Sequence, residues 1–257
     1  MARVPLHADF LTVPLAHRGY HDAANRRPEN SLSAFAAAVA AGYGIELDVQ
    51  LTADGEAMVF HDDALDRMTN STGAIRGRTA ADLGAIKLHD GDDLIPTLRH
   101  VLTLVAGKVP LLIEIKELMV MMENTDGRLE RAVAAALAGY HGPVAVMSFN
   151  PHCMAHMARL APNVARGMTT EDYNPQDCAP IPPDVCDALR MIPDYDRTGC
   201  SFISHKASDL ARPRVAELKS KGAAILCWTI RSPEAEAKAR EIADNITFEG
   251  YPAALGA

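Results

Sequence analysis

Eight short apolar runs, set apart by stretches of helical periodicity, constrain this chain more than any other feature. They are "VPLAHRG" (13–19), "GIELDVQLT" (44–52), "VPLLIEIK" (109–116), "GPVAVMSFN" (142–150), "NVARGMTT" (163–170), "CSFISHKA" (200–207), "GAAILCWTI" (222–230) and "DNITFEGYP" (244–252). Helical patterns fall between them at 31–42, 96–107, 128–140, 151–161, about 184–191, 212–221 and 232–243. In 31–42 the residues Leu32, Phe35 and Val39 share one face and Gly42 ends the pattern. In 96–107 Leu98, Val101, Leu102 and Val105 recur at helical spacing, with Thr97 placed to cap and Gly107 to stop. Pro213 and Pro233 stand where first-turn prolines are tolerated. Strands alternating with helices predict βαβ units and a parallel sheet. Eight of them predict an α/β fold, a (β/α)8 TIM-type barrel, with residues 1–257 as one domain.

One stretch breaks the rhythm. "EAMVFHD" (56–62) reads as a short strand paired to the second run through the turn "ADG", and residues 63–95 form a small insertion after that second strand. An excursion this long shapes a binding mouth or simply covers surface. Its "ALDRMTNSTGAIRGRT" is mostly polar, and "DGDD" (90–93) reads as a solvated loop.

Residues at the C-terminal ends of barrel strands converge on one face. The first strand ends in His17 and Arg18, and the short one in His61 and Asp62. The second carries Glu46 and Asp48, whose i, i+2 spacing puts both on one face, and the third carries Glu114 and Lys116 in the same relation. Charges inside strands are costly unless paired or metal-bound. An ion-pair network of the three carboxylates with Arg18 and Lys116 is one reading. A hard oxygen site for one divalent cation, Mg²⁺ or Ca²⁺ with Mn²⁺ as a further candidate, is the other and favoured one. The two histidines beside it supply a general acid and a general base, and Arg18 and Lys116 a grip on phosphate.

The remaining polar residues carry less. His152 and His156 have the i, i+4 spacing of a helical metal pair but lack the glutamate of H-E-x-x-H, and barrel helices lie outside. His205 ends a strand with no partner legible near it. Five cysteines without a C-x-x-C pair argue against a disulfide framework or a zinc ribbon. The net charge of −8 argues against general nucleic-acid binding, which needs a basic face. "MARVPLHADFLTVPLAHRG" has no uninterrupted apolar segment and no later run reaches transmembrane length, which predicts a soluble cytoplasmic protein without membrane insertion.

"HRG", "PEN", "ELD" as E-x-D, "HD", "IPTL", "EIK", "SF" and "WT" follow one another in an order and spacing that resemble the glycerophosphodiester phosphodiesterase family. The resemblance implies a barrel that cleaves small-molecule glycerophosphodiesters to glycerol 3-phosphate and an alcohol with a divalent cation. It implies Glu46, Asp48 and Glu114 as metal ligands and His17 and His61 as the acid–base pair, with His17 taken as base and His61 as acid. Arg18 and Lys116 would contact the phosphate. Glu29 and Asn30 would support the mouth, Asn30 also being placed to cap the following helix, and Trp228 would stack on the substrate. Two departures stand near the mouth: "WTIRS" brings Arg231, and "TFEGYP" offers Glu249 where the family has Asp. His21, Asp22, Arg26 and Arg27 add charge to the first loop. Lysophospholipid or sugar phosphodiesters, a lyase route through a cyclic phosphate, and a non-catalytic barrel binding a phosphorylated ligand remain as alternatives. The oligomeric state is open.

Overall fold

The computed structural model describes residues 2–116, 122, 124–174 and 181–255. In chain order the first elements are α1 (Asp9–Thr12), β1 (Leu15–Ala16), α2 (Leu32–Ala41), β2 (Gly44–Leu51), β3 (Ala57–Val59), α3 (Ala80–Leu83), α4 (Leu98–Val105) and β4 (Leu111–Ile115). They continue with α5 (Arg128–Leu137), β5 (Val144–Ser148), α6 (Pro151–Leu160), β6 (Ala165–Thr170), α7 (Pro183–Arg190) and α8 (Asp194–Arg197). The last are β7 (Phe202–Lys206), α9 (Pro213–Ser220), β8 (Ala224–Ile230), α10 (Pro233–Ala239) and β9 (Asn245–Phe248). Eight strands run parallel in the order β1, β2, β4, β5, β6, β7, β8, β9, and β9 pairs back with β1 to close the barrel. β3 lies antiparallel on the edge of β2, turning through Gly55 at φ 90°.

Two apolar layers hold this wall. Outside it, strand residues such as Ile45, Leu47, Ile113 and Ile203 pack against Phe35, Val101, Val133 and Val215 of the helices. Inside, Leu15, Leu112, Ala145, Met147, Ala165, Phe202 and Leu226 fill the lower barrel, and Phe10 of α1 plugs its floor. Four residues of helix are too few to leave a period, so α1 has no sequence signature. Asn245 fastens it from within, its amide donating to the carbonyls of Phe10 (2.8 Å) and Val13 (2.6 Å). Two glycines make room for the filling. A Cβ on Gly44 would stand 2.5 Å from Leu15, and one on Gly167 would run into the Phe202 ring.

Local signals set the helix ends. Thr97 accepts from the His100 amide (3.2 Å), and Gly42 closes α2 at φ 80°. Pro151, Pro183, Pro213 and Pro233 all open helices. Ser31 rather than Asn30 caps α2, accepting from the Ala34 amide at 3.1 Å. Asn30 is turned away at φ 55° for another task. β1 is shorter than its apolar run because Arg18 and Gly19 enter the left-handed region at φ 54° and 82°.

The 63–95 insertion is more than a surface excursion. Leu65, Ile75, Leu83, Leu88 and Ile95 are buried together with Met58 and Phe60 in a satellite core. Its polar composition hid these widely spaced apolar residues. Asp92 does take a solvated ion pair, to Arg26 at 2.7 Å and Lys87 at 2.5 Å, whereas Asp93 accepts from the Ser33 amide at 3.0 Å. Cys178 lies outside the described residues, and the other four cysteines are buried. Among the described residues no helix is long and apolar enough to cross a membrane.

Candidate active site

The pairing of β2 with β4 sets Asp48 beside Glu114, and the two-residue period brings Glu46 onto the same inward face. The three carboxylates are at most 5 % exposed, and each offers an oxygen within 4.8 Å of the others. Lys116 lies 2.7 Å from Glu114 and 3.4 Å from Asp48, and the Arg18 guanidinium 3.5 Å from Asp48. Burial and the negative charges of Asp48 and Glu114 push the Glu46 carboxyl well above its ordinary value. Asp48 goes the other way. Burial alone would raise it, but Lys116, His61, Arg18 and the Asn30 amide outweigh that and hold it far below the usual carboxylate range. Three carboxylates against two cations leave a negative residue that falls on Glu46. A buried, hard, oxygen-only donor set one positive charge short is compatible with a divalent cation, and the same carboxylates also take the ion pairs to Lys116 and Arg18.

The left-handed turn at Arg18 does two things. Its backbone N–H donates to Glu46 at 3.0 Å, and its guanidinium donates to Glu29 at 2.8 Å. Asn30, also left-handed, donates its amide to Asp48 at 2.9 Å and accepts from the Asp48 N–H at 3.3 Å. "HRG" and "PEN" thus orient two carboxylates of the triad.

Each histidine of the predicted pair has a carboxylate behind it. His17 Nδ1 is 2.5 Å from Glu249 Oε2, and His61 Nδ1 is 2.6 Å from Asp62 Oδ1. An ionised carboxylate only accepts, so in both rings Nδ1 carries the hydrogen and Nε2 is left for chemistry. Glu249 is held far below the ordinary range by the hydrogen bond from His17 and the nearness of His21, against burial, with help from the Arg231 charge. Arg231 donates to its other oxygen at 2.8 Å from Nε and 2.7 Å from the terminal nitrogen. Asp62 is held at about 2: burial opposes, but hydrogen bonds from Arg67 and His61 prevail. The His61 ring is itself lowered by burial and by Lys116 and Arg18, Asp48 resisting. Gln50, buried in β2, donates to the His61 carbonyl at 3.1 Å.

His17, His61, Arg18, Lys116 and the triad line one cleft of about 300 Å³, whose other wall carries Met147, Phe149, Trp228, Thr229 and Arg231. Trp228 meets Phe149 edge-on at 5.6 Å and donates its indole N–H to the Ser204 carbonyl at 3.0 Å. Glu29 stays at the rim between Arg18 and Arg67. Of the first loop, Arg26 pairs with Asp92 and Arg27 with Asp22 (3.3 Å), while His21 comes within 3.6 Å of Glu249.

Three residues escaped the sequence reading. Glu249 looked like a departure but backs His17. Arg67 and Gln50 had no motif to mark them. His205, without a legible partner in sequence, has two: Thr170 Oγ1 at 2.8 Å and Asp209 at 3.1 Å. On α6, His156 contacts the Thr125 carbonyl at 3.2 Å and Arg159 at 2.9 Å.

This arrangement has relatives. The family described as glycerophosphoryl diester phosphodiesterase matches residues 17–245. A glycerophosphodiester phosphodiesterase of Caldanaerobacter subterraneus subsp. tengcongensis is 35% identical over 165 residues, 61% of this chain and 66% of that protein. One from Bacillus altitudinis is 33% identical over 171 residues, 63% of this chain and 68% of its own. Among solved structures, an Oleispira antarctica phosphodiesterase in complex with the product sn-glycerol-3-phosphate superposes with a TM-score of 0.76 at 24% identity, covering 95% of this chain and 94% of that one. That likeness speaks for the barrel. The family match begins at His17, the residue after β1, and runs to the first residue of β9, and relatives so named are phosphoric diester hydrolases. The chain belongs to the glycerophosphoryl diester phosphodiesterase family.

Proposed function

We propose that the cleft hydrolyses glycerophosphodiesters to sn-glycerol 3-phosphate and an alcohol, as one catalytic barrel domain. The observation that carries this is the placement of a buried carboxylate triad and two carboxylate-backed histidines around one cleft. The named activity of the curated relatives and the product held by the Oleispira antarctica protein support the substrate class.

A divalent cation, Mg²⁺, Ca²⁺ or Mn²⁺, held by Glu46, Asp48 and Glu114, would draw charge from the phosphoryl oxygens. The chain's own residues do the rest. Arg18, its fork steadied by Glu29, and Lys116, tied to Glu114 and Asp48, face phosphate as fixed positive groups and favour a more anionic transition state. His17, with Nδ1–H committed to Glu249, takes on Nε2 the proton of the attacking water, or of the neighbouring glycerol hydroxyl, in which case a water then opens the cyclic phosphate. His61 gives a proton to the departing alkoxide. Its lowered affinity for that proton makes it the readier donor once charged. Trp228 and Phe149 form an apolar wall for the carbon skeleton of the substrate.

The test is glycerol 3-phosphate release from a panel of glycerophosphodiesters, with a lysophospholipid and a sugar phosphodiester included. It is run with each cation and with chelator, beside His17→Ala. Cation-dependent release lost in the variant supports the reading. Turnover of the lipid or sugar substrates alone would move the activity to them, and phosphate binding without any turnover would leave a binding barrel.

A further inference from the structure

Arg67 belongs to the insertion, and no motif or mechanism step above uses it. Its guanidinium presents two hydrogen-bonding edges, and a carboxylate occupies each. Along one edge Nε donates to Asp62 Oδ2 at 2.6 Å and a terminal nitrogen to Asp62 Oδ1 at 3.0 Å. Along the other, the two terminal nitrogens donate to Glu29 at 2.6 and 3.0 Å. Both carboxylates are already engaged with the site. Asp62 Oδ1 is the atom that holds His61 Nδ1 at 2.6 Å, and Glu29 Oε1 is the atom that receives Arg18 at 2.8 Å. One planar group therefore spans the distance from an acid–base histidine to the phosphate clamp. Only a guanidinium has two such edges in a fixed relation; a lysine ammonium can satisfy one carboxylate well or two poorly.

The position is built rather than incidental. Leu65, two residues earlier, is fully buried in the satellite core, and Thr69, two residues later, is 2 % exposed and donates to the Leu65 carbonyl at 2.9 Å. The segment between them is thus anchored at both ends, although the Arg67 side chain is 46% exposed and fills no core. Without Arg67, Asp62 and Glu29 would face one another across the rim as like charges.

We propose that Arg67 is a positioning residue that couples the orientation of His61 to that of Arg18, so that the insertion sets proton transfer and phosphate grip together. The inference rests on the site reading given above for the roles of His61 and Arg18, and deepens it.

The experiment compares Arg67→Ala, Arg67→Lys, Asp62→Asn, Glu29→Gln and the doubles of Arg67→Ala with each of the last two. It measures kcat on a glycerophosphodiester and, by calorimetry on the cation-loaded protein, the Kd of inorganic phosphate. Arg67→Ala is expected to lower kcat by roughly 10- to 100-fold, as small misplacements of acid–base groups do. It should also weaken phosphate by about fivefold, less than the loss of a direct charge-assisted contact because Arg18 itself is kept. Asp62→Asn should reproduce the first loss with phosphate Kd unchanged, whereas Glu29→Gln should reproduce the second and, because Arg18 also favours the transition state, lower kcat as well. In the doubles the second substitution should add less than about twofold, because both act through one connection. Arg67→Lys should restore part of one loss and not both.

Losses that simply multiply in the doubles, or an Arg67→Ala enzyme unchanged in both measurements, would overturn the coupling. So would a purely structural effect, visible as a fall in Tm with kcat per folded molecule and phosphate Kd preserved. Should Arg67→Ala not fold, Arg67→Lys decides by the same comparison. Absence of turnover in the unmutated protein would defeat the activity reading instead, and calorimetry would still score the link from Arg67 through Glu29 to Arg18.

Discussion

His17 Nδ1 is held at 2.5 Å by Glu249, a residue 232 positions away in the chain whose other oxygen is gripped by Arg231. The barrel closure that pairs β1 with β9 is what brings them together. Glu249→Gln keeps the size and removes the charge, and of its two terminal groups only the amide oxygen accepts from Nδ1–H while the NH2 can only donate. The ring then loses its tautomer preference. We expect kcat to fall by about 10²-fold, within the span of general acid–base effects, with KM changed less than threefold. Glu249→Asp should recover part of the loss. Equal rises in KM for both variants would show Glu249 touching substrate instead.

The same closure explains what could and could not be read from residues in order. Glu46, Asp48, Glu114 and Lys116 were legible because strand periodicity and the strand-end rule fix their face without any knowledge of neighbours. His17, Arg18 and His61 were legible because each ends a recognisable run. Glu249 was not, since its meaning lies in a pairing between the first and last strands. Arg67 was hidden for a different reason: the apolar residues that anchor its segment are spread over 63–95 with no single period. The left-handed backbone at Arg18 and Asn30 has no signature in residue type, as neither is glycine, and so Asn30 read as a cap when its amide serves Asp48.

Glu46 gives a prediction with a definite sign in pH. Its carboxyl is raised by burial and by Asp48 and Glu114, so the folded chain binds its proton more tightly than the unfolded chain. Its contribution to stability should therefore fall as pH rises above the ordinary carboxylate value, and keep falling until the raised value is passed. Because the lowered histidines act in the opposite sense, the contribution of Glu46 is read as a difference: the Tm of chelated Glu46→Gln minus that of the chelated unmutated protein should grow as pH rises above about 4.3, the ordinary glutamate value. Saturating Mg²⁺ or Ca²⁺ should reverse that trend. Tm of both proteins measured across pH with and without chelator checks it, and a difference that shrinks as pH rises in the chelated pair would contradict it.

Glu46→Gln follows from the same charge count. Removing one of three buried like charges relieves repulsion in the metal-free protein, so its Tm near neutral pH should rise by roughly 2–4 °C, equivalent to about 1 kcal/mol in a domain of this size. The same variant should lose the cation-induced rise in Tm, which for a ligand at 100 times its Kd is worth about 2.7 kcal/mol. Greater stability with lost cation response is the combined outcome to look for. A destabilised variant that still responds would place the cation elsewhere.

Trp228 faces the cleft with Phe149 against its edge, and its indole N–H is already committed to Ser204. It has no proton left to offer the reaction. Trp228→Ala should therefore act on binding, raising KM by roughly tenfold, about the worth of an aromatic contact, with kcat changed less than threefold. Trp228→Phe should lie close to the unmutated enzyme. A fall in kcat matching the change in kcat/KM would mean that the ring contacts the transition state selectively.

The barrel interior supplies the last prediction. Gly167 on β6 pairs in register with Phe202 on β7, and the Phe202 ring occupies the space where a Cβ on residue 167 would lie. Phe202 belongs to the inner apolar layer of the barrel and is fully buried. Gly167→Ala is a one-carbon change in a strand, where alanine is ordinarily the better residue. Here the overpacking should dominate and cost about 1–3 kcal/mol. At about 2–4 °C per kcal/mol, that is a clear fall in Tm. Phe202→Leu alone should also destabilise, by loss of buried area. Together the two should cost less than their sum, because the smaller leucine gives the new methyl its room. Strict additivity in Tm would show that the cost of the new methyl does not come from the Phe202 ring, and an unchanged Tm in Gly167→Ala alone would show that the ring moves aside at no cost.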